Sequence, residues 1–73
     1  MYKECFHERV KKARQGAGYT QKQVEAKTGI SQPIIAYIEN GKREPSLENL
    51  GILADLYEVS IDWLLGRGEK RTE

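Results

Sequence analysis

The sequence predicts an all-α domain of five short helices, and three observations predict it. Apolar residues recur at helical spacing along most of the chain. A serine or threonine (Thr20, Ser31, Ser46, Ser60) stands where a helix would open. Glycine, in places preceded by asparagine, stands where one would close. No internal repeat or low-complexity linker interrupts the pattern.

The first helix is expected from Lys3 to Gly16, with Phe6, Val10, Ala13 and Ala17 on its apolar face and Gly16 and Gly18 as its stop. Thr20 followed by Gln23 is a capping box that opens a short second helix ending at Gly29, where a positive φ is cheap. Ile30 and Ser31 complete a tight turn. Ser31 is a good N-cap for a third helix with Pro33 in its first turn, where the missing N–H costs little. Asn40 and Gly41 end that helix, and the charged loop KREP follows. Ser46 caps a fourth helix with the apolar set Leu47, Leu50, Leu53, Ala54 and Tyr57. Gly51 inside it weakens it by about 1 kcal/mol relative to alanine unless close packing requires a missing side chain. Ser60 caps a last helix, IDWLL, and GRGEKRTE leaves as a polar tail expected to be mobile. Residues 1–66 therefore form one domain and residues 67–73 its tail.

A chain of 73 residues allows a single small core, burying only about 60% of its unfolded surface. A large catalytic cleft does not fit in it. Cys5 has no cysteine partner and His7 no second ligand, so disulfide, zinc site and catalytic dyad are all unsupported; both read as packing or solvated residues. No nucleophile with its base, recognisable carboxylate pair or phosphate-binding glycine loop points to an enzyme or a cofactor, and no small-molecule ligand is expected. No apolar run reaches the roughly 20 residues of a membrane span, and no signal segment precedes the domain, so a cytoplasmic setting is expected.

The net charge of +1 conceals a segregation. Up to Arg43 there are nine basic residues against four acidic ones, whereas residues 44–66 carry five acids and no base. A polyanion would meet one end of such a molecule and be repelled by the other. On a helical wheel the third helix turns Ile35, Ile38 and Ser31 inward and Pro33, Ala36, Tyr37 and Asn40 outward, with Gln32 at its exposed start. In a helix-turn-helix the N-terminal part of the second helix enters the major groove, where glutamine can pair with adenine and apolar groups can touch a thymine methyl.

These residues carry a family likeness. The run TQKQVEAKTGISQPIIAYIENGKREPSLENLGILADLYEVSIDWLL resembles the helix-turn-helix domain of lambdoid phage repressors and Cro proteins, the Cro/repressor-type (xenobiotic-response-element-type) regulators. The TQ opening, the Gly29-Ile30-Ser31 turn, the IENGKREPS junction and the VSIDWLL ending are its specific pieces. The resemblance implies a lambda-repressor-like fold in which the second and third helices form the helix-turn-helix. It implies that Gln32, Pro33 and Tyr37 face base edges, and that Gln21, Ile34, Asn40, Lys42 and Arg43 lie against DNA phosphates. Gln21 would also brace the recognition helix, and Arg14 and Glu39 would form a partly buried structural ion pair. Glu25 departs from a usual alanine, Pro33 from a usual polar residue, and Glu58 from a helix-ending glycine.

The function so implied is a sequence-specific transcriptional regulator, a repressor, binding a roughly palindromic operator on double-stranded DNA as a homodimer, in the cytoplasm of a prokaryote or encoded by a phage. Ile52, Ile61, Trp63 and Leu65 are the candidate dimer patch. The alternative is a helix-turn-helix that binds a protein, as an antitoxin or antirepressor does.

Overall fold

Helix boundaries in this chain are set by side-chain chemistry close to them. The computed structural model describes residues 2–70, with side chains from residue 5 onward, in five helices: α1 (Tyr2–Gly16), α2 (Gln21–Thr28), α3 (Gln32–Glu39), α4 (Leu47–Tyr57) and α5 (Ile61–Leu64). No strand occurs among the described residues.

The capping box of α2 forms as expected. Thr20 Oγ1 accepts from the Gln23 N–H at 3.1 Å, and Gln23 Oε1 accepts from the Thr20 N–H at 2.8 Å. Gly29 closes α2 with φ at 81°, a conformation that costs glycine little and a side chain about 1 to 2 kcal/mol. Ser46 and Ser60 accept from the N–H groups of Asn49 and Trp63. Ser31 differs. It holds the extended N-cap conformation, yet its side chain makes no capping bond. Glu25 reaches across the turn instead, and its Oε1 accepts from the Gln32 N–H at 3.1 Å. A carboxylate at that end of a helix also opposes the positive pole of the dipole.

The core is led by Val10, Val24, Ile35, Ile38, Leu53 and Leu64, all below 2% exposed; full burial of such a side chain stabilises by about 1.5 to 3 kcal/mol. Two members of the expected apolar faces lie elsewhere. Ala17 falls beyond the end of α1 and is exposed. Leu47 is 87% exposed: the core ends a turn short of it, leaving it at the edge of a shallow groove lined by Phe6, Pro45, Leu50 and Leu65. Glu58 closes α4 with φ at 58°, the left-handed conformation in which a glycine would be easier.

Beyond α5 the chain turns back. Arg67 N–H donates to Asp62 O and Ser60 N–H donates to Lys70 O, each at 2.7 Å, and the Ser60 hydroxyl donates to the Glu69 carbonyl. The Trp63 ring carries the Arg9 guanidinium at 4.8 Å and the Lys70 ammonium at 5.1 Å from its centroid, and Arg9 Nη1 also donates to Trp63 O at 2.6 Å. Cation–π contacts of this kind contribute about 0.5 to 1 kcal/mol each at exposed sites. Residues 67–70, read from the sequence as the start of a polar tail, are held against α5 by these contacts. Residues 71–73 of that tail lie outside the described residues.

Candidate nucleic-acid interface

Helix α3 is placed by what it buries. Ile35, Ile38 and Glu39 are turned into the molecule, against α1 and α2. Ile30, 7% exposed, anchors the turn before them. The opposite face leaves Pro33, Tyr37 and Asn40 exposed and Gln32 and Ala36 half-buried, with Tyr37 48% exposed. Of the outward set read from the helical wheel, Pro33, Tyr37 and Asn40 are therefore exposed, while Ala36, and Gln32 at the helix start, are half-buried. Ile34 sits on the flank, half-buried against the core.

The end of α3 puts two cations beside that face. Gly41 N–H donates to Ile38 O at 3.2 Å and Lys42 N–H to Tyr37 O at 2.9 Å, the paired bonds of a Schellman ending. Gly41 adopts a φ of 74°, and a Cβ on it would meet His7 Nδ1 at 3.3 Å. Glycine is thus favoured there both by conformation and by the imidazole packed beneath it. Lys42 and Arg43 emerge exposed directly after this turn.

Beneath the face runs a hydrogen-bonded chain from surface to core. Gln32 Nε2 donates to Gln21 Oε1 at 2.6 Å, and Gln21 Nε2 donates to Glu39 Oε1 at 3.0 Å. Arg14 meets the same carboxylate from α1 with two parallel bonds, Nε to Oε2 at 2.7 Å and Nη2 to Oε1 at 3.1 Å, and donates from Nη1 to Tyr19 O at 2.8 Å. The hydrogen bond to Glu39 raises the Arg14 pKa above its ordinary value, against the opposing effect of burial. Such a pair contributes little net stability, because desolvation offsets attraction; losing one partner leaves a buried lone charge and costs about 3 to 5 kcal/mol. Tyr57 lies near the pair. Its buried Oη has no hydrogen-bond partner among the described residues, and burial, then the negative charge of Glu39, push its pKa up.

The structure thus joins Gln21 to Gln32 and Arg14 to Glu39, and sets Pro33, Tyr37 and Asn40 on one exposed face. Lys12, Lys22 and Lys27 are exposed, with Lys27 lying over the Tyr19 ring. The dimer candidates differ in exposure. Ile52, Trp63 and Leu65 pack half-buried against the core, while Ile61 is 39% exposed and borders a different depression, with Ala54 and Asp55. Sequence reasoning missed the Glu25 cap, the exposed Leu47 and the Arg9 contact to Trp63. Only the second left a signal, a leucine in the first turn after a proline-containing loop. Among the described residues no group of His, Cys, Asp and Glu could hold a metal ion, and no helix is long and apolar enough to cross a membrane.

Comparison with known proteins agrees with this geometry. The Helix-turn-helix family model matches residues 10–64, spanning all of α2 through α5. The HTH-type transcriptional regulator ImmR of Bacillus subtilis is 44% identical over 61 residues, covering 84% of this chain and 48% of that protein. The cryptic phage CTXphi transcriptional repressor RstR of Vibrio cholerae is 40% identical over 60 residues, covering 82% of this chain and 54% of its own. The HTH-type transcriptional regulator AnsR of Bacillus subtilis is 46% identical over 43 residues, 59% of this chain and 37% of that protein. The chain thus spans about half the length, or less, of these curated relatives. With a family match over most of its length and α3 packed on α2 as a recognition helix must be, the chain belongs to the Cro/repressor-type helix-turn-helix family.

Proposed function

We propose that this chain is the DNA-reading part of a transcriptional regulator, a repressor, that binds a roughly palindromic operator as a dimer. The observation that carries the reading is the outer face of α3: uncharged, hydrogen-bonding at Gln32 and Tyr37, and followed at once by exposed Lys42 and Arg43. Phosphate contacts position such a protein and base contacts give it sequence preference. Lys42, Arg43, Asn40 and the second N–H of Gln21 take the first role, with Ile34 close to the backbone; Gln32 and Tyr37 take the second, and Pro33 offers apolar contact. A repressor named among the relatives, RstR, supports the sign of regulation.

Selection from a random DNA pool at about 150 mM salt, where specific binders typically outcompete non-specific binding by 10³-fold or more, tests this reading. The expected winner is a two-fold symmetric motif with half-sites about 10 base pairs apart, one helical turn. A pool that stays random, with folded protein, would refute it and make Tyr37 a residue of a protein-binding face.

A further inference from the structure

Two side chains of α2 converge on the first residue of α3. Gln21 and Glu25 are four residues apart and share one strip of their helix. Gln21 bonds the Gln32 side chain, and Glu25 Oε1 accepts from the Gln32 backbone N–H at 3.1 Å. Glu25 is itself exposed, so its carboxylate lies at the solvent-facing start of the recognition helix and not beneath it. The N-terminus of a helix is otherwise a ready site for a phosphate, because free N–H groups and the positive end of the dipole both attract an anion. Here an anion of the protein's own holds that pole. A DNA phosphate that docked end-on against α3 would meet a like charge, which leaves the base edges as the partners of this end of the helix.

A carboxylate has two oxygens with about four lone-pair sites and no donor. The bond to Gln32 uses one of those sites, and whatever else meets Glu25 must also donate. In the major groove cytosine presents its N4 amino group, adenine its N6 amino group with the N7 acceptor beside it, guanine the acceptors O6 and N7, and thymine O4 and a methyl. Guanine and thymine set acceptors against the carboxylate, and adenine sets one next to its donor. Cytosine alone offers a donor with no acceptor on the same base edge. We infer that Glu25 is a base-reading residue contributed by α2, selecting cytosine at an operator position neighbouring the one met by Gln32, by accepting from N4. This rests on α3 entering the major groove with Gln32 toward the bases, as proposed above.

A helix cap alone would stabilise α3 without any bearing on sequence, so the readout is base preference and not melting temperature. Glu25→Gln is the working variant: its amide oxygen still accepts from the Gln32 N–H, and its nitrogen adds a donor that suits the acceptors of guanine and thymine. Glu25→Ala is the second, and it removes charge and cap together. Wild type, both variants and Gln32→Ala are taken through selection from one random DNA pool, with the folding of each checked by circular dichroism. Competition binding then compares the selected operator with one in which the cytosine assigned to Glu25 and its paired guanine are exchanged.

Glu25→Gln is expected to lower the preference for cytosine at that position about tenfold, the size of one direct base contact, and to bind non-cognate DNA more tightly because a negative charge is gone from the interface. Glu25→Ala is expected to lose the same cytosine, while the position relaxed by Gln32→Ala keeps its preference in both variants. A motif identical to that of wild type in both, with Gln32→Ala altering it, would overturn base reading by Glu25 and leave the regulator reading intact. Relaxation confined to the Gln32 position would reduce Glu25 to a cap, and a lost preference for guanine or thymine in place of cytosine would contradict an acceptor-only reader. A wild-type pool that stays random would overturn this inference together with the function it rests on.

Discussion

Gln32 and Lys42 flank α3, one at its start and one just past its end, and their chemistry separates their effects. Gln32→Ala is expected to relax base preference at one or two positions, at a cost of about 1 to 3 kcal/mol on the cognate site, whereas Lys42→Ala weakens all sequences alike. Equal losses on cognate and random DNA from both variants would contradict this division. Tyr57 gives a prediction about stability. Burial first, and the charge of Glu39 second, raise its pKa, with Arg14 opposing, so the folded chain keeps a proton that an unfolded tyrosine releases near pH 10. Protons then favour the folded state, and the contribution of Tyr57 falls as pH rises above about 10. Tyr57→Phe removes that loss and is neutral or stabilising at pH 7, since the buried hydroxyl has no partner among the described residues. Urea unfolding of both proteins at pH 7 and at alkaline pH checks it: an advantage of phenylalanine that failed to grow with pH would be the contrary result. Of these residues the sequence exposes Gln32 and Lys42, because each sits at a helix end with a fixed outward direction. The Gln21 brace was implied only by the family likeness, and the surroundings of Tyr57 were hidden, because they exist only once the helices meet.

At the scale of the element, local rules explain why the helices were legible and why one capping bond was not. Thr20, Ser46 and Ser60 cap N–H groups only a few residues ahead, so their signals are contained in short windows of sequence. The N–H that opens α3 is held by Glu25, from the preceding helix, and no local pattern announces a cap from that far away. Ser31→Ala is therefore expected to change stability by only a few tenths of a kcal/mol, and Glu25→Ala to cost about 1 kcal/mol, the usual worth of a cap. Thermal melts of the two variants in parallel discriminate; the reverse order would reassign the cap to Ser31. Gly51 gives the other test at this scale. A Cβ there would meet nothing within 4 Å, so no close approach justifies the glycine, and Gly51→Ala should stabilise α4 by about 1 kcal/mol. A destabilised variant would mean that the face of α4 around Gly51 is covered in the working protein. Leu47 shows the limit of periodicity, which gives the face of a helix but not how far along it the core extends.

For the whole molecule, size and charge distribution set the terms of binding. The fold measures 28 × 26 × 20 Å, less than the roughly 34 Å between successive major grooves on one side of DNA. Reading two of them takes two copies, in keeping with the proposed dimer. The basic excess lies in the part that forms α1 to α3 and the acidic excess in α4 and α5, so in the proposed complex α3 and its flanking cations face the phosphate backbone while the acids lie beyond it. If a dimer neutralises on the order of eight phosphates, log affinity should fall against log salt with a slope near about −7. A slope close to zero in a salt titration would argue against phosphate contacts by Lys42 and Arg43. This asymmetry was legible in the linear order of charges, because the chain crosses from basic to acidic once, at the α3–α4 junction. The split between exposed Ile61 and half-buried Ile52, Trp63 and Leu65 was not, since it depends on how the helices pack.

The segment after α5 gives the molecule an optical reporter of its own. Trp63 is the single tryptophan, and its indole is contacted by both Arg9 of α1 and Lys70 of the returning chain, on the helix that packs against α1 and α4. Its emission spectrum will follow the assembly of the two ends of the chain. Selective excitation of the indole therefore lets folding at that corner of the molecule be followed in an unlabelled sample.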